Sequence, residues 1–248
     1  MSEPLVSCLC ATYGRPQLLG EAIKCFIDQD YSNKELIVLN DQVGVELFIE
    51  NCPDNIRVYN HPTRFNSLGE KRNYLKSLGK GDFFCVWDDD DLYTPWRISE
   101  SLGFMLKDQT HDIIKAKDAF MSTNNANYKV ANNLFHSQGI ITKKYMNSHQ
   151  YPPISGPEDM EFEKAAKVGS VDIFPSFWYV YRWGNCGMPT GVHHVSGIAD
   201  SKQSWDRSLT YPTYQITGKI EVKPEFKRDY WADIHGVLCK MCPVFGKL

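Results

Sequence analysis

Four consecutive aspartates, at positions 88–91, follow directly after the apolar run FFCVW at 83–87. Adjacent like charges repel one another and disfavour each other's ionised form, so a fold leaves such a cluster in water or supplies a cation. Charge runs usually form solvated surfaces, but this one leaves an apolar strand without a linker. Mg²⁺ and Mn²⁺ prefer carboxylate oxygens and keep positions for water and phosphate groups. The cluster is therefore interpreted as a candidate divalent-cation site.

A second acidic group lies in the sequence GPEDME and contains Glu158, Asp159 and Glu161. In the first turn of a helix, acidic side chains are stabilised by the helix dipole, which is a purely structural interpretation. The alternative is a general base, because a carboxylate held at a rigid helix start can take a proton from an attacking hydroxyl group. Asp159 shares its predicted helix face with Phe162 and Ala166, a spacing that favours packed structure.

Arg72 lies at helical spacing from Leu68 and Leu75. An arginine on an inward-facing stripe needs an anion as its partner. One candidate partner is a nucleotide phosphate or base. The other interpretation is an ordinary salt bridge or exposure to solvent, because Tyr74, Leu75 and Leu78 form an equally good inward stripe.

The segments around these residues predict a mainly parallel α/β sheet. Apolar runs predict strands at 5–12, 35–41, 56–61 and 83–87, and helical spacing predicts helices at 17–29 and 67–82. Such alternation is typical of parallel α/β sheets, in which ligands bind beyond the carboxyl ends of the strands. We therefore expect the turn at 12–15, Asp41 and the aspartate cluster to lie at one edge of the sheet.

The second half of the chain is less regular. Strand-like runs occur at 112–117, 139–146, 170–174 and 178–183. A helix is predicted at 155–168, because Ser155 and Glu158 have the spacing of a capping box and Gly169 follows as a stop signal. After residue 201 the sequence becomes polar and aromatic and predicts no element.

Composition and charge exclude several classes of protein. The 248-residue chain is 42% hydrophobic with a net charge of -3, which fits a sizeable core and gives no sign of nucleic-acid binding. No apolar run reaches the roughly 18 residues of a transmembrane span, and the N-terminal sequence predicts no secretory signal. The eight cysteines form no disulfide framework, so we expect a reducing, cytoplasmic environment.

Four segments, in order, resemble the inverting family 2 glycosyltransferases with the GT-A fold. They are the strand, turn, helix and strand at 7–41, the approach to the aspartates at 69–98, the sequence GPEDMEF, and the sequence YRWGN…HHVSG at 181–197. The resemblance implies a Rossmann-like, mainly parallel sheet flanked by helices, with an irregular acceptor-side half.

The same resemblance implies a division of the chain. A glycosyltransferase domain would span residues 1–200. Its nucleotide-binding half would cover about 1–98 and its acceptor half about 99–200. Residues 201–248 would form a C-terminal extension that packs on the domain, or a tail.

In this family the strand ends bind the donor nucleotide. The contacts that the resemblance implies are made by Ala11, Thr12, Tyr13, Arg15, Asp41, Arg72, Asp88 and Asp89. Asp41 would hydrogen-bond the base. The usual pattern there is two aspartates followed by Gly-Ser, whereas this chain has Asn40 before Asp41 and Gln42 after it, which leaves the choice of base open.

The resemblance also implies a divalent metal, Mn²⁺ or Mg²⁺. Asp88 and Asp90 form the DxD pair, and Asp90 would ligate the ion. A register shifted by one residue would use Asp89 and Asp91 instead. His194 would reach the metal or the diphosphate.

Asp159 is implied as the catalytic base, with Glu158 beside it. The implied reaction belongs to polysaccharide biosynthesis. It is a single displacement that moves a sugar from a nucleoside-diphosphate sugar, with UDP as the preferred nucleotide, to a hydroxyl acceptor such as a glycan, and it inverts the anomeric carbon. One alternative is a nucleotidyltransferase, although ATYGRPQ has a single glycine where a Gly-rich loop is expected. The other is a non-catalytic sugar-nucleotide-binding protein.

Overall fold

Three apolar strands lie side by side in the centre of the main sheet: β1 (Val6–Thr12), β2 (Lys34–Asn40) and β5 (Phe83–Val86). Successive side chains of a strand point to opposite faces. Cys8 therefore packs in one hydrophobic core, and Leu9 packs in a second core on the other face of the sheet. A sheet covered on both faces requires nearly continuous apolar strands, which is the pattern that the sequence shows.

The computed structural model describes residues 3–123, 127–132, 134–173, 176–183 and 217–241. The helices there are α1 (Pro16–Ile27), α2 (Leu68–Ser77), α3 (Arg97–Lys107), α4 (Lys143–Ser148), α5 (Glu158–Glu163) and α6 (Tyr230–Met241). The remaining strands are β3 (Val45–Phe48), β4 (Ile56–Asn60), β6 (Leu92–Tyr93), β7 (Ile113–Ala116), β8 (Asp118–Thr123), β9 (Asn127–Asn132), β10 (Ile140–Thr142), β11 (Val168–Val171), β12 (Tyr179–Trp183) and β13 (Gly218–Glu221). A short 3₁₀ turn spans His136–Gln138.

The main sheet has seven strands in the order β11-β7-β10-β5-β1-β2-β4. Strand β10 is antiparallel to both of its neighbours, and all other neighbouring pairs in this sheet are parallel. A four-stranded sheet has the order β6-β12-β8-β9, and β13 pairs with β3. The α/β fold with a mainly parallel sheet is therefore confirmed.

The helix predicted at 155–168 is wrong in length and in its cap. Helix α5 ends at Glu163, and Gly169 lies in β11, which pairs in parallel with β7. Ser155 does not cap α5, because its hydroxyl oxygen accepts a hydrogen bond from the backbone nitrogen of Leu68 at 2.9 Å. Residues 164–167 form a turn instead of the end of the expected helix, and the chain joins the main sheet at Val168.

Two strand predictions in the second half also need correction. The run at 139–146 divides into β10 and α4, and Thr142 caps the helix by accepting a hydrogen bond from the backbone nitrogen of Tyr145 at 3.3 Å. The strand expected at 170–174 is β11, which begins at Val168. In contrast, Ser67 does cap its helix. Its hydroxyl oxygen accepts a hydrogen bond from the backbone nitrogen of Glu70 at 3.2 Å, which is the usual contact at the start of a helix.

Residues 217–241 pack against the rest of the described chain. Strand β13 pairs with β3, and Tyr230 at the start of α6 is buried. The Tyr230 hydroxyl group donates a hydrogen bond to Glu21 of α1 at 2.8 Å. At Gly20 an added Cβ atom would lie 2.2 Å from the carbonyl oxygen of Lys223, so only glycine admits this contact.

Among the described helices, none has both the length and the apolar character needed to cross a membrane.

Candidate active site

The strand ends bring the predicted site residues to one edge of the main sheet. Strands β5, β1 and β2 are neighbours. The aspartate cluster follows β5 by one residue, Thr12 ends β1, and Asp41 follows β2 directly. The carboxyl ends of parallel strands share an edge of the sheet, so these three positions lie together as expected.

Two of the four aspartates face the protein interior. The side chain of Asp89 is 1% exposed, and it accepts hydrogen bonds from Thr12 Oγ1 at 2.6 Å and from Arg15 at 2.5 Å. Asp91 is fully buried and accepts from the Tyr179 hydroxyl group at 2.5 Å and from the backbone nitrogen of Arg182 at 2.8 Å. Their oxygens therefore hold the loop in place.

The other two aspartates are more accessible. The side chain of Asp88 is 25% exposed and that of Asp90 is 7% exposed. Asp88 accepts hydrogen bonds from the Ser137 hydroxyl group and from Arg72 Nη2, the latter at 3.4 Å. Asp90 accepts from Arg15 Nη1 at 2.7 Å. Asp88 is thus the partly exposed member of the cluster, and Asp90 is buried but less completely than Asp89 and Asp91.

Burial and charge act together on this loop. Burial raises the pKa of Asp89 to about 6, although Arg15 opposes that change. Burial, followed by the charges of Asp90 and Asp88, raises the pKa of Asp91 well above its ordinary value. The ionised forms of these two carboxyl groups are therefore disfavoured, and a nearby cation would stabilise them.

Arg72 connects the two acidic groups. Its Nε donates to Glu158 Oε1 at 3.1 Å, and its Nη2 lies 3.4 Å from Asp88 Oδ1. Arg72 therefore forms salt bridges in the structure, and its contact with a nucleotide stays a prediction. Arg72 thus ties the start of α5 to the aspartate loop.

The two acidic residues at the start of α5 have different environments. Glu158 is 2% exposed, and burial raises the pKa of its carboxyl group. Its Oε2 atom is buried and accepts from no other residue in the described part of the chain, whereas the backbone N–H of Glu158 itself interacts with the carboxyl group and lowers its pKa. Asp159 is half-buried, and its Oδ1 accepts from the backbone nitrogen of Met160 at 2.7 Å.

Asp41 is held from two sides at the end of β2. It is fully buried, with Lys71 Nζ 2.5 Å from Oδ1 and the backbone nitrogen of Phe65 3.1 Å from Oδ2. A contact to a nucleotide base would use the remaining lone pairs of these oxygens. Nearby, Ala11 and Tyr13 are half-buried, and the guanidinium of Arg64 lies 4.0 Å from the centre of the Tyr13 ring.

Several residues around the site were not predicted from the sequence. Ser137 lies in the 3₁₀ turn before β10 and binds Asp88, and Lys71 binds both Asp41 and the carbonyl oxygen of Thr12, the latter at 2.6 Å. The sequence signal for Lys71 was its position one residue before Arg72 in GEKRN. The serine has no comparable signal. His194 and most of the segment YRWGN…HHVSG lie outside the described residues.

Residues 7–157 match the family model described as Glycosyl transferase family 2. The chain belongs to this family. A relative in Escherichia coli (strain K12) is WcaA, named as a candidate colanic acid biosynthesis glycosyl transferase. It is 31% identical over 121 residues, which cover 47% of this chain and 43% of WcaA. The chain thus spans about half the length of the curated relatives it matches.

Solved structures agree on the fold. S. aureus TarS, crystallised with UDP-GlcNAc, aligns with a TM-score of 0.56 at 16% identity, over 72% of this chain and 58% of the TarS chain. The mannosyltransferase PcManGT from Pyrobaculum calidifontis, solved with GDP-Man and Mn²⁺, aligns with a TM-score of 0.58 at 13% identity. That alignment covers 100% of this chain and 74% of PcManGT. The family 2 domain therefore has the GT-A fold.

Membership in the family favours a glycosyltransferase over both alternatives considered from the sequence. The donor set of the aspartate loop fits a hard divalent cation, because it consists of carboxylate oxygens and includes the two more accessible side chains Asp88 and Asp90. No group of three or more histidine, cysteine, aspartate or glutamate side chains in the described part of the chain is arranged to hold a metal ion. Two carboxylates suffice for an ion that keeps water and phosphate ligands.

Proposed function

We propose that the family 2 domain transfers a sugar from a nucleoside-diphosphate sugar to a hydroxyl group of a glycan, with inversion and with Mn²⁺ or Mg²⁺. The observation that carries the proposal is the connection from Asp88 through Arg72 to Glu158, because it joins the aspartate loop to the helix that bears Asp159. UDP is the preferred nucleotide, in line with the TarS complex with UDP-GlcNAc. The name of WcaA supports a role in polysaccharide biosynthesis.

Asp88 and Asp90 would hold the metal ion in this proposal. Their side chains are more exposed than those of Asp89 and Asp91, which supports this choice. A bound ion would compete with the contacts that Arg72 and Ser137 make to Asp88 and that Arg15 makes to Asp90. A bound divalent ion stabilises the negative charge that forms on a leaving diphosphate. Mn²⁺ in the PcManGT complex supports the use of a divalent metal ion. His194 stays a proposed additional ligand.

Asp159 would act as the base. It is the second residue of α5, a helix anchored through Glu158 and Arg72, so its carboxylate is held on a rigid element. A carboxylate in this position takes the proton from the acceptor hydroxyl group, which then attacks the anomeric carbon. Attack opposite the leaving group inverts the configuration in a single displacement, and no covalent enzyme intermediate is needed.

The nucleotide would lie along the ends of β1 and β2. Ala11 and Thr12 end β1, Tyr13 and Arg15 lie in the turn after it, and Asp41 follows β2. Lys71 Nζ donates to the carbonyl oxygen of Thr12 and to Asp41 Oδ1, and so connects the two strand ends. This connection would hold the binding surface rigid when a ligand binds. The division at residue 200 and the cytoplasmic location also stay predictions.

Thermal melting with and without Mn²⁺, in the presence of UDP, GDP, dTDP or CMP, tests the donor site. A ligand that binds only the folded state raises the melting temperature, so we expect a Mn²⁺-dependent rise with one nucleoside diphosphate. In Asp90→Asn the Mn²⁺-dependent part of the rise should disappear. In Asp159→Asn the rise should be kept, while transfer falls by a factor of about 10²–10⁴. Unchanged transfer in Asp159→Asn would refute the assignment of the base.

A further inference from the structure

A cluster of polar side chains surrounds Glu163, at the C-terminal end of α5. Glu163 Oε1 lies 2.5 Å from His136 Nδ1, and Glu163 Oε2 accepts from Lys115 Nζ at 2.5 Å. The other ring nitrogen of His136 lies 2.9 Å from the hydroxyl oxygen of Tyr151. Lys115 and His136 are buried, and a buried ion pair is weak evidence for a role in stability alone. The proposed reaction uses none of these side chains, so the cluster needs another explanation.

His136 begins the 3₁₀ turn that also carries Ser137. The backbone nitrogen of Gly139 donates to the carbonyl oxygen of His136 at 2.9 Å, which closes the turn. Arg97 holds the same turn by donating to the carbonyl oxygens of Ser137 at 3.3 Å and Gly139 at 2.9 Å. The Ser137 hydroxyl group donates to Asp88 Oδ2. Two neighbouring residues of one hydrogen-bonded turn therefore contact α5 and the aspartate loop.

Helix α5 is connected to Asp88 at both of its ends. At the N-terminal end, Glu158 accepts from Arg72, which also contacts Asp88. At the C-terminal end, Glu163 contacts His136, in the turn that reaches Asp88. The helix has only six residues, so a contact at one end alone would leave it able to pivot. The second contact fixes the orientation of the helix relative to the aspartate loop.

We propose that Glu163 is a positioning residue for Asp88. Through His136 it holds Ser137 in place, and the hydroxyl group of Ser137 fixes the orientation of the Asp88 carboxylate. A metal ion would draw on the same oxygens, but each carboxylate oxygen has two lone pairs, so the serine keeps its hydrogen bond beside a bound ion. Side chains that hydrogen-bond a metal ligand in this way contribute about 10- to 100-fold to metal affinity. The inference rests on the proposed function, in which Asp88 holds Mn²⁺ or Mg²⁺.

The affinity of the full chain for Mn²⁺ tests the inference without a transfer assay. Mn²⁺ is titrated in the presence of UDP and, in a second series, of GDP, and the free ion is measured by electron paramagnetic resonance. Ser137→Ala should weaken Mn²⁺ binding about tenfold. Loss of Glu163 alone would deprive the buried Lys115 of its carboxylate, which is strongly destabilising, so Glu163→Leu is combined with Lys115→Met. This paired variant should weaken Mn²⁺ binding about three- to tenfold.

Combining the substitutions shows whether Glu163 acts through Ser137. If it does, adding Ser137→Ala to the paired variant should cost little further affinity, and the total loss should stay within about twofold of the larger single loss. If the paired variant does not fold, Glu163→Gln takes its place, because it keeps the length of the side chain and one oxygen. It should show a smaller loss of Mn²⁺ affinity.

Two control variants change the same helix without touching this path. Tyr145→Phe removes the hydrogen bond from the Tyr145 hydroxyl group to the carbonyl oxygen of Phe162, which is 2.5 Å long. It should lower the melting temperature and leave the Mn²⁺ affinity at its wild-type value. Glu161→Gln changes an exposed carboxylate and should alter neither quantity.

Three results would overturn the inference while leaving the proposed function intact. The first is an unchanged or higher Mn²⁺ affinity in Ser137→Ala or in the Glu163 variants. The second is a pair of losses that multiply when the substitutions are combined, because the two residues would then act independently. The third is an equal loss in Tyr145→Phe, which would assign the effect to general destabilisation. If wild type bound Mn²⁺ with neither nucleotide, the proposed metal-dependent function and the inference would fall together.

Discussion

Replacement of Glu21 by alanine should destabilise the protein strongly, because this carboxylate joins the C-terminal segment to the aspartate loop. Glu21 is 1% exposed in α1 and pairs with Arg182 Nη1 at 2.5 Å. Its Oε1 also accepts from the Tyr230 hydroxyl group at 2.8 Å and from the backbone nitrogen of Lys227 at 3.0 Å. Arg182 in turn donates from Nε to the carbonyl oxygen of Asp90 at 2.6 Å.

The size of the expected loss of stability follows from the burial of the ion pair between Glu21 and Arg182. Both side chains are almost fully buried, at 0% exposure for Arg182 and 1% for Glu21. Removing one partner of a buried ion pair leaves an uncompensated charge and costs about 3–5 kcal/mol. Because folded domains are stable by only about 5–15 kcal/mol, a large part of the free energy of unfolding should be lost.

Two further variants test whether the loss of stability in Glu21→Ala comes from the buried ion pair. Tyr230→Phe removes one hydrogen bond to the same carboxylate and should lower the free energy of unfolding by about 1.5–3 kcal/mol. Glu161→Ala removes an exposed ion pair with Lys164, 2.7 Å long, and should change stability by about 1 kcal/mol or less. Urea unfolding followed by tryptophan fluorescence and far-UV circular dichroism measures all three.

The free energies of unfolding of the three variants show whether the buried pair holds the C-terminal segment in place. If Glu21→Ala lies within about 1 kcal/mol of Glu161→Ala, the buried pair does not hold the segment and the reasoning is wrong. If Glu21→Ala is strongly destabilising, the same protein should also show a weaker Mn²⁺-dependent rise in melting temperature, because Arg182 supports the aspartate loop through the carbonyl oxygen of Asp90.

Two further predictions concern packing and pH. Gly69→Ala should lower the free energy of unfolding by about 1–3 kcal/mol or more, because an added Cβ would lie 1.8 Å from the carbonyl oxygen of Pro152. Gly103→Ala should instead stabilise α3 by about 0.5–1 kcal/mol, because no atom lies within 4 Å of the added Cβ. If urea unfolding showed that both alanine variants lower the free energy of unfolding, or that both raise it, the packing argument would be contradicted. Burial alone would raise the pKa of Glu163, but the hydrogen bond and charge of His136 help to hold it below its ordinary value. Its contribution to stability is therefore present above the unfolded pKa of about 4.3 and is lost as pH falls through the lower folded pKa. The stability difference between wild type and Glu163→Gln should shrink between about pH 6 and pH 3, and a constant difference would refute this role.

The central strands and the position of the acidic residues could be predicted from the sequence. Strands β1, β2 and β5 are buried on both faces, so their apolar runs stand out without any knowledge of their neighbours. The aspartate cluster follows one of these strands directly, and parallel strands direct their carboxyl ends to a common edge. Local sequence therefore sufficed to place the cluster at a binding edge.

Element boundaries in the second half could not be predicted in this way. The sequence at 155–168 has helical spacing, but Val168 pairs with Ile113 of β7 and continues as a strand. Backbone hydrogen bonds to a sheet edge more than 50 residues earlier outweigh a weak local preference for helix. No local pattern contains that partner.

What the sequence alone determined is the fold class, the order of the central elements and the presence of carboxylates at their ends, because each follows from hydrophobic periodicity over a few neighbouring residues. Only the tertiary structure decided how far each aspartate is buried and which side chains it contacts. Asp89 is held by Thr12, 77 residues away, and Asp91 by Tyr179, 88 residues away. Likewise, Arg72 reaches Glu158 across 86 residues. Side-chain orientation depends on such distant partners, which four adjacent identical residues cannot specify among themselves.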